Sequence, residues 1–135
     1  MSRFALRRDV VILACAISAG IHGALVPGHF DEGTGAGLGF AAATIALASL
    51  VVVLTIRPAS AFALAGAAAV LVGLLGGYLL AATAGLPVLH PEPEPVDGLA
   101  LATKAIEAVG LIAAMTLLWR PPVALTFAQA KGTLR

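Results

Sequence analysis

The sequence is short of cysteine, of aromatic rings and of charge, and each shortage closes off a class of function. A single cysteine, Cys15, permits neither an internal disulfide nor a CxxC redox pair. That excludes the four-helix thiol oxidoreductases of membranes, whose chemistry needs paired cysteines. Aromatic residues make up 5% of the chain, too few for a wide aromatic-lined drug pocket. The net charge is +1 and no basic cluster is interleaved with aromatics, so nucleic acid is not an expected partner. Charged residues amount to 11%, where a soluble domain carries about 25%.

What the chain does have is apolar sequence: 60% of its residues are hydrophobic and the mean hydropathy is +1.02. A surface this apolar cannot be covered by polar groups in water. The composition therefore predicts an integral membrane protein. Crossing ~30 Å of hydrocarbon takes roughly 20 apolar residues in a helix, and four stretches qualify, at about 10–26, 38–56, 61–84 and 98–119. Proline or glycine follows each of them: Pro27-Gly28, Pro58, Gly85 with Pro87, and Pro121-Pro122. The expected fold is all-α, an up-down-up-down four-helix membrane bundle over 1–122 with a tail at 123–135. The first span is expected to stay uncut, because only a few apolar residues precede Cys15 and the run continues beyond it. The run GTGAGLG at 33–39 follows no strand and is expected to be a flexible turn rather than a phosphate loop.

Lysine and arginine set the expected orientation. Arg3, Arg7 and Arg8 precede the first span, Arg57 lies between the second and third, and Arg120, Lys131 and Arg135 follow the fourth. The other two connections carry Asp31 and Glu32, then Glu92, Glu94 and Asp97, with no basic residue. Both termini should therefore face the cytoplasm of a bacterium, with the protein in its cytoplasmic membrane.

Placed by depth at ~1.5 Å per residue, the polar groups inside the spans gather in the outer half. His22 falls roughly 8 Å below the outer end of its helix, Thr44 and Tyr78 roughly 9 Å, and Lys104 and Glu107 roughly 9 and 14 Å. Ionisable groups at such depth normally face a bundle interior or a wet cavity. Lys104 and Glu107 are three apart on one helix face and can pair. His22 shares its face with Ser18 and Cys15. These spacings suggest a cavity open to the outside, floored by Glu107 and walled by His22, Tyr78 and Lys104. The plainer alternatives are a structural ion pair and an interhelical hydrogen bond from His22. The small residues of the third span, with Gly73 and Gly77, predict tight helix packing, or a homodimer through that face.

Histidine and carboxylate donors suit zinc or copper(II), so His22, His29, Glu32 and His90 are candidate metal ligands. Their spacing matches no metal motif, and with one histidine clearly inside a span a bis-histidine haem is disfavoured. Pro27 is expected to end the first helix between His22 and His29. His29, Asp31 and Glu32 would then begin a solvated loop, and His90, Glu92 and Glu94 would lie in a proline-stiffened one. No nucleophile–base–orienter set is visible, so catalysis is not expected.

The pattern His22-x6-His29-Phe30-x-Glu32, with Gly85-Leu86-Pro87 and Pro91-Glu92-Pro93 before the last span, resembles small four-helix membrane proteins common in GC-rich actinobacteria. The resemblance covers most of the chain and implies a fold but no activity. The expected function is binding of a metal ion or small ligand in the outer-half site. An accessory or assembly subunit of a larger membrane complex, and a proton-coupled small-solute transporter using Glu107, stand as alternatives.

Overall fold

A computed structural model describes residues 2–86, 93 and 95–119. These form four α-helices: α1 (Arg3–Glu32), α2 (Thr34–Ile56), α3 (Ala61–Ala84) and α4 (Gly98–Leu118). His90, Glu92, Glu94 and the expected tail at 123–135 lie outside the described residues. Each helix is long and apolar enough to cross a membrane. At ~1.5 Å per residue the 23, 24 and 21 residues of α2, α3 and α4 span about 32–36 Å, close to the thickness of a bilayer's hydrocarbon. Large apolar side chains point outward, Ile45, Phe62 and Ile112 being 67%, 91% and 64% exposed. Such an exterior suits lipid rather than water.

Helix starts are fixed locally. The side chains of Ser2, Ser60 and Asp97 accept hydrogen bonds from the backbone N–H groups of Ala5, Ala63 and Ala100, and so cap α1, α3 and α4. Gly85 ends α3 at φ 71°, in the left-handed region where a side chain would be strained.

The first connection differs from the sequence expectation. Helix α1 does not stop at Pro27 but carries it internally and continues to Glu32. A proline interrupts a helix by removing one N–H and crowding the carbonyl four residues back. Only Gly33 separates the two helices, its N–H donating to the His29 carbonyl at 3.0 Å. The glycine-rich run is likewise helical from Thr34 onward rather than a flexible turn. Phe30 explains the tight hairpin: its ring lies over Gly37, where a Cβ would coincide with the ring atoms.

The helices close into a ring, each packing on the next in sequence and α4 on α1; the α1–α2 contact is the most extensive and α2–α3 the slightest. The core between them is built largely of alanine, with Leu47, Leu54, Leu71 and Val11 filling the remaining space. Small residues let backbones approach where no hydrophobic drive pairs helices. Gly110 of α4 shows this within the core, since a Cβ there would stand 2.6 Å from the Ala14 Cβ of α1 and 3.3 Å from Leu71 of α3. At Gly76 a Cβ would meet nothing within 4 Å. Gly110→Leu is therefore expected to destabilise the bundle by about 1–3 kcal/mol through overpacking. Gly76→Ala should be neutral or stabilising by up to about 1 kcal/mol, the helix-propensity difference. Unfolding of both variants in detergent checks the contrast, and equal effects would refute it.

Candidate functional site: a buried ion pair behind a cavity

The polar groups form a chain from α4 to α1. Glu107 is fully buried at 0% exposure, and both of its carboxylate oxygens are satisfied. Lys104 Nζ, one turn earlier on α4, donates to Oε2 at 2.8 Å. Ser18 Oγ, from α1, donates to Oε1 at 2.7 Å. An ionised carboxylate removed from water is tolerable only with partners of this kind. The pair is thus more than an intrahelical contact, because Ser18 makes it a link between helices.

His22 continues the chain one turn along α1. Its Nδ1 lies 2.9 Å from the Ser18 carbonyl oxygen and 3.3 Å from Ser18 Oγ. A carbonyl only accepts, so Nδ1 carries the proton and Nε2 is the accepting nitrogen of the neutral ring. His29 is held in the same way, with Nδ1 donating to the Leu25 carbonyl at 3.0 Å. Its ring stacks on Phe40 of α2 at 3.6 Å between centroids, and the same Phe40 ring lies 5.2 Å from His22. His29 Nε2 is 3.9 Å from a Glu32 carboxylate oxygen. The Lys104 ammonium also stands 5.4 Å from the centre of the Tyr78 ring on α3, within cation–π range. The Tyr78 hydroxyl itself is enclosed and has no hydrogen-bond partner among the described residues.

These groups border a cavity of about 440 Å³ that draws on all four helices. His22 and His29 of α1, Phe40 of α2, Tyr78 of α3 and Lys104 of α4 line it, as do Glu32 and Asp97 at helix ends. Glu107 does not form the expected floor: it is not on the wall, and it is hydrogen-bonded to Lys104, which is, and to Ser18. Gly73 and Gly77, for which tight helix packing or, alternatively, a dimer face is expected from the sequence, line the cavity as well. With no Cβ, each leaves space that no other described residue fills within 4 Å of the Cβ position.

The described candidate metal ligands do not group for coordination. With α1 unbroken, His22, His29 and Glu32 lie along one helix, and both histidines spend Nδ1 on their own backbone. Among the described residues no three His, Cys, Asp or Glu side chains come together to hold a metal ion. His90 falls outside the described residues.

Two site residues are not singled out by the sequence. Ser18 shares a helix face with His22 at a spacing of four, but nothing in the sequence marks it as a partner of Glu107. Phe40 carried a signal too, as the sole aromatic residue of α2. No protein-family model matches the chain, and no curated protein or solved structure matches it.

The link between α1 and α4 has measurable consequences. Ser18→Ala, which removes a hydrogen bond to a charged group, should lower stability by about 1.5–3 kcal/mol. Glu107→Ala should lower it by about 3–5 kcal/mol by stranding Lys104 in an apolar setting. Replacing both members, as Lys104→Met with Glu107→Leu, should recover most of that loss. Unfolding in detergent micelles measures all three, and a double variant no better than Glu107→Ala would contradict the assignment.

Proposed function

We propose that this chain is a multi-pass protein of a bacterial cytoplasmic membrane that binds a small organic ligand in the cavity between its four helices. The observation that carries the proposal is the cavity itself. Its volume of about 440 Å³ falls within the roughly 300–1,000 Å³ of small-molecule sites. Its wall is mainly apolar; the polar groups on it are His22, His29, Tyr78, Thr103 and Lys104, with Glu32 and Asp97 at helix ends. That combination suits a molecule with an apolar body and a polar end. An organic ligand is favoured over a metal ion because the described histidines and carboxylates are not grouped for coordination.

The orientation belongs to the same proposal. Arg3, Arg7, Arg8 and Arg57 mark the cytoplasmic end, and Asp31, Glu32 and Asp97 the opposite one. The cavity then occupies the outer half of the bundle. The reading is of a binding protein rather than an enzyme, with Lys104 and Glu107 forming the charged layer beneath the ligand.

Gly77 provides the test. A Cβ at Gly77 meets no other atom within 4 Å among the described residues, so Gly77→Leu directs a side chain into the cavity and should fold normally while losing the ligand. Screening lipophilic organic compounds by thermal shift should find binders, since a ligand at 100 times its Kd stabilises by about 2.7 kcal/mol. A compound that stabilises wild type and Gly77→Leu equally binds elsewhere, and that outcome would refute the cavity as the site.

A further inference from the structure

The polar groups on the cavity wall divide into donors already used and groups that accept, which narrows the ligand class on the basis of the cavity reading above. His22 and His29 give their Nδ1 protons to the Ser18 and Leu25 carbonyls, at 2.9 and 3.0 Å. With those protons in place, each neutral ring presents Nε2, an acceptor. Thr103 gives its hydroxyl proton to the Leu99 carbonyl at 2.7 Å. Lys104 holds Glu107 at 2.8 Å, and its charge is countered there.

Among the described residues, the other charged groups on the wall are both carboxylates. Glu32 ends α1 and Asp97 caps α4. Asp97 Oδ1 accepts from the Ala100 N–H at 2.7 Å, but a carboxylate has about four lone pairs and accepts further donors. The sequence has no lysine or arginine between Arg8 and Arg57, or between Arg57 and Lys104. The two connections at this end therefore carry Asp31, Glu32, Glu92, Glu94 and Asp97 without a basic residue. Lys104 stands seven residues along α4 from Asp97, or ~10 Å. The cavity is thus acidic where Glu32 and Asp97 border it, and its one lysine is neutralised farther in. An anion entering at the acidic end would meet two like charges, an arrangement that selects against it.

We propose that the cavity takes a lipophilic amine in its ammonium form. The ligand's N–H groups donate to the Glu32 and Asp97 carboxylates, and its apolar body lies along Phe40, Leu74 and Gly77. A body of about 10 Å keeps the ligand's ammonium and that of Lys104 at opposite ends of the cavity. No proton moves and no bond breaks, so the hydrogen bonds of His22, Ser18 and Glu107 stay as they are. The Glu32 side chain is 52% exposed and Asp97 is exposed as well, so each carboxylate contributes on the modest scale of a surface ion pair.

The test titrates the full-length protein, in non-ionic detergent, with three probes that differ only in their polar end: 4-butylbenzylamine, 4-butylbenzyl alcohol and 4-butylbenzoate. At about pH 8, where a primary alkylamine is protonated, the amine is expected to bind about tenfold tighter than the alcohol, and the benzoate weakest. Glu32→Gln and Asp97→Asn should each weaken the amine about twofold to fivefold and leave the alcohol unchanged. Asparagine caps a helix about as well as aspartate, so α4 keeps its start. Added salt should weaken the amine and spare the alcohol, a result that stands whether or not the variants fold. Benzoate binding as tightly as the amine, or an amine affinity insensitive to salt and to both substitutions, would overturn the proposal. If the alcohol matches the amine and Gly77→Leu loses both, the cavity reading stands and the amine proposal falls. If no probe, and no other lipophilic compound, distinguishes wild type from Gly77→Leu, both are overturned.

Discussion

The structure turns on one costly act, the complete burial of the Glu107 carboxylate among helices that are otherwise apolar. An ionised carboxylate in such a setting needs every oxygen occupied, and this bundle supplies the partners from two helices. Lys104 comes from the same helix, three residues earlier, where spacing alone guarantees contact. Ser18 must be delivered by α1, so the α1–α4 crossing is fixed in register as well as in distance. The close approach of Gly110 to Ala14 lies on the same seam and permits that delivery. Packing and polarity therefore reinforce each other at one interface, with the ion pair giving specificity and the small residues giving proximity.

The glycines divide the molecule into a closed part and an open one. At Gly23, Gly37, Gly66 and Gly110 the missing side chain admits a neighbour: Thr44, Phe30, Leu50 and Ala14 respectively. At Gly39, Gly73 and Gly77 it admits nothing, and all three border the cavity. Glycine in the interior of a helix costs about 1 kcal/mol relative to alanine. At the first set that cost is returned as helix contact. At the second set, among the described residues, the structural return is volume on the cavity wall.

Much of this was legible in the sequence. Length and apolarity placed α3 where it is found and α2 and α4 to within a few residues, because composition decides such spans. The depth of Lys104, Glu107, Tyr78 and His22 put them in one layer, and three of the four line one cavity. Two features were not legible, each for a physical reason. Pro27 looks like a helix terminator in isolation, yet α1 runs through it, so His29 belongs to the same helix as His22 instead of to a loop. Glu107 looked like a cavity floor because depth gives height but not rotation about the helix axis. Whether a residue at a given height faces a void or sits behind its neighbours depends on the partner helix, and Ser18 was the partner that the sequence did not single out.

A double-mutant cycle across Ser18 and Glu107 tests the central claim most directly, because it isolates the coupling between the two helices from the cost of each substitution. With Ser18→Ala and Glu107→Gln measured singly and together by unfolding in detergent, the account predicts a coupling energy of roughly 1–3 kcal/mol. Additive effects, with a coupling indistinguishable from zero, would show that α1 does not hold the Glu107 carboxylate and would contradict it.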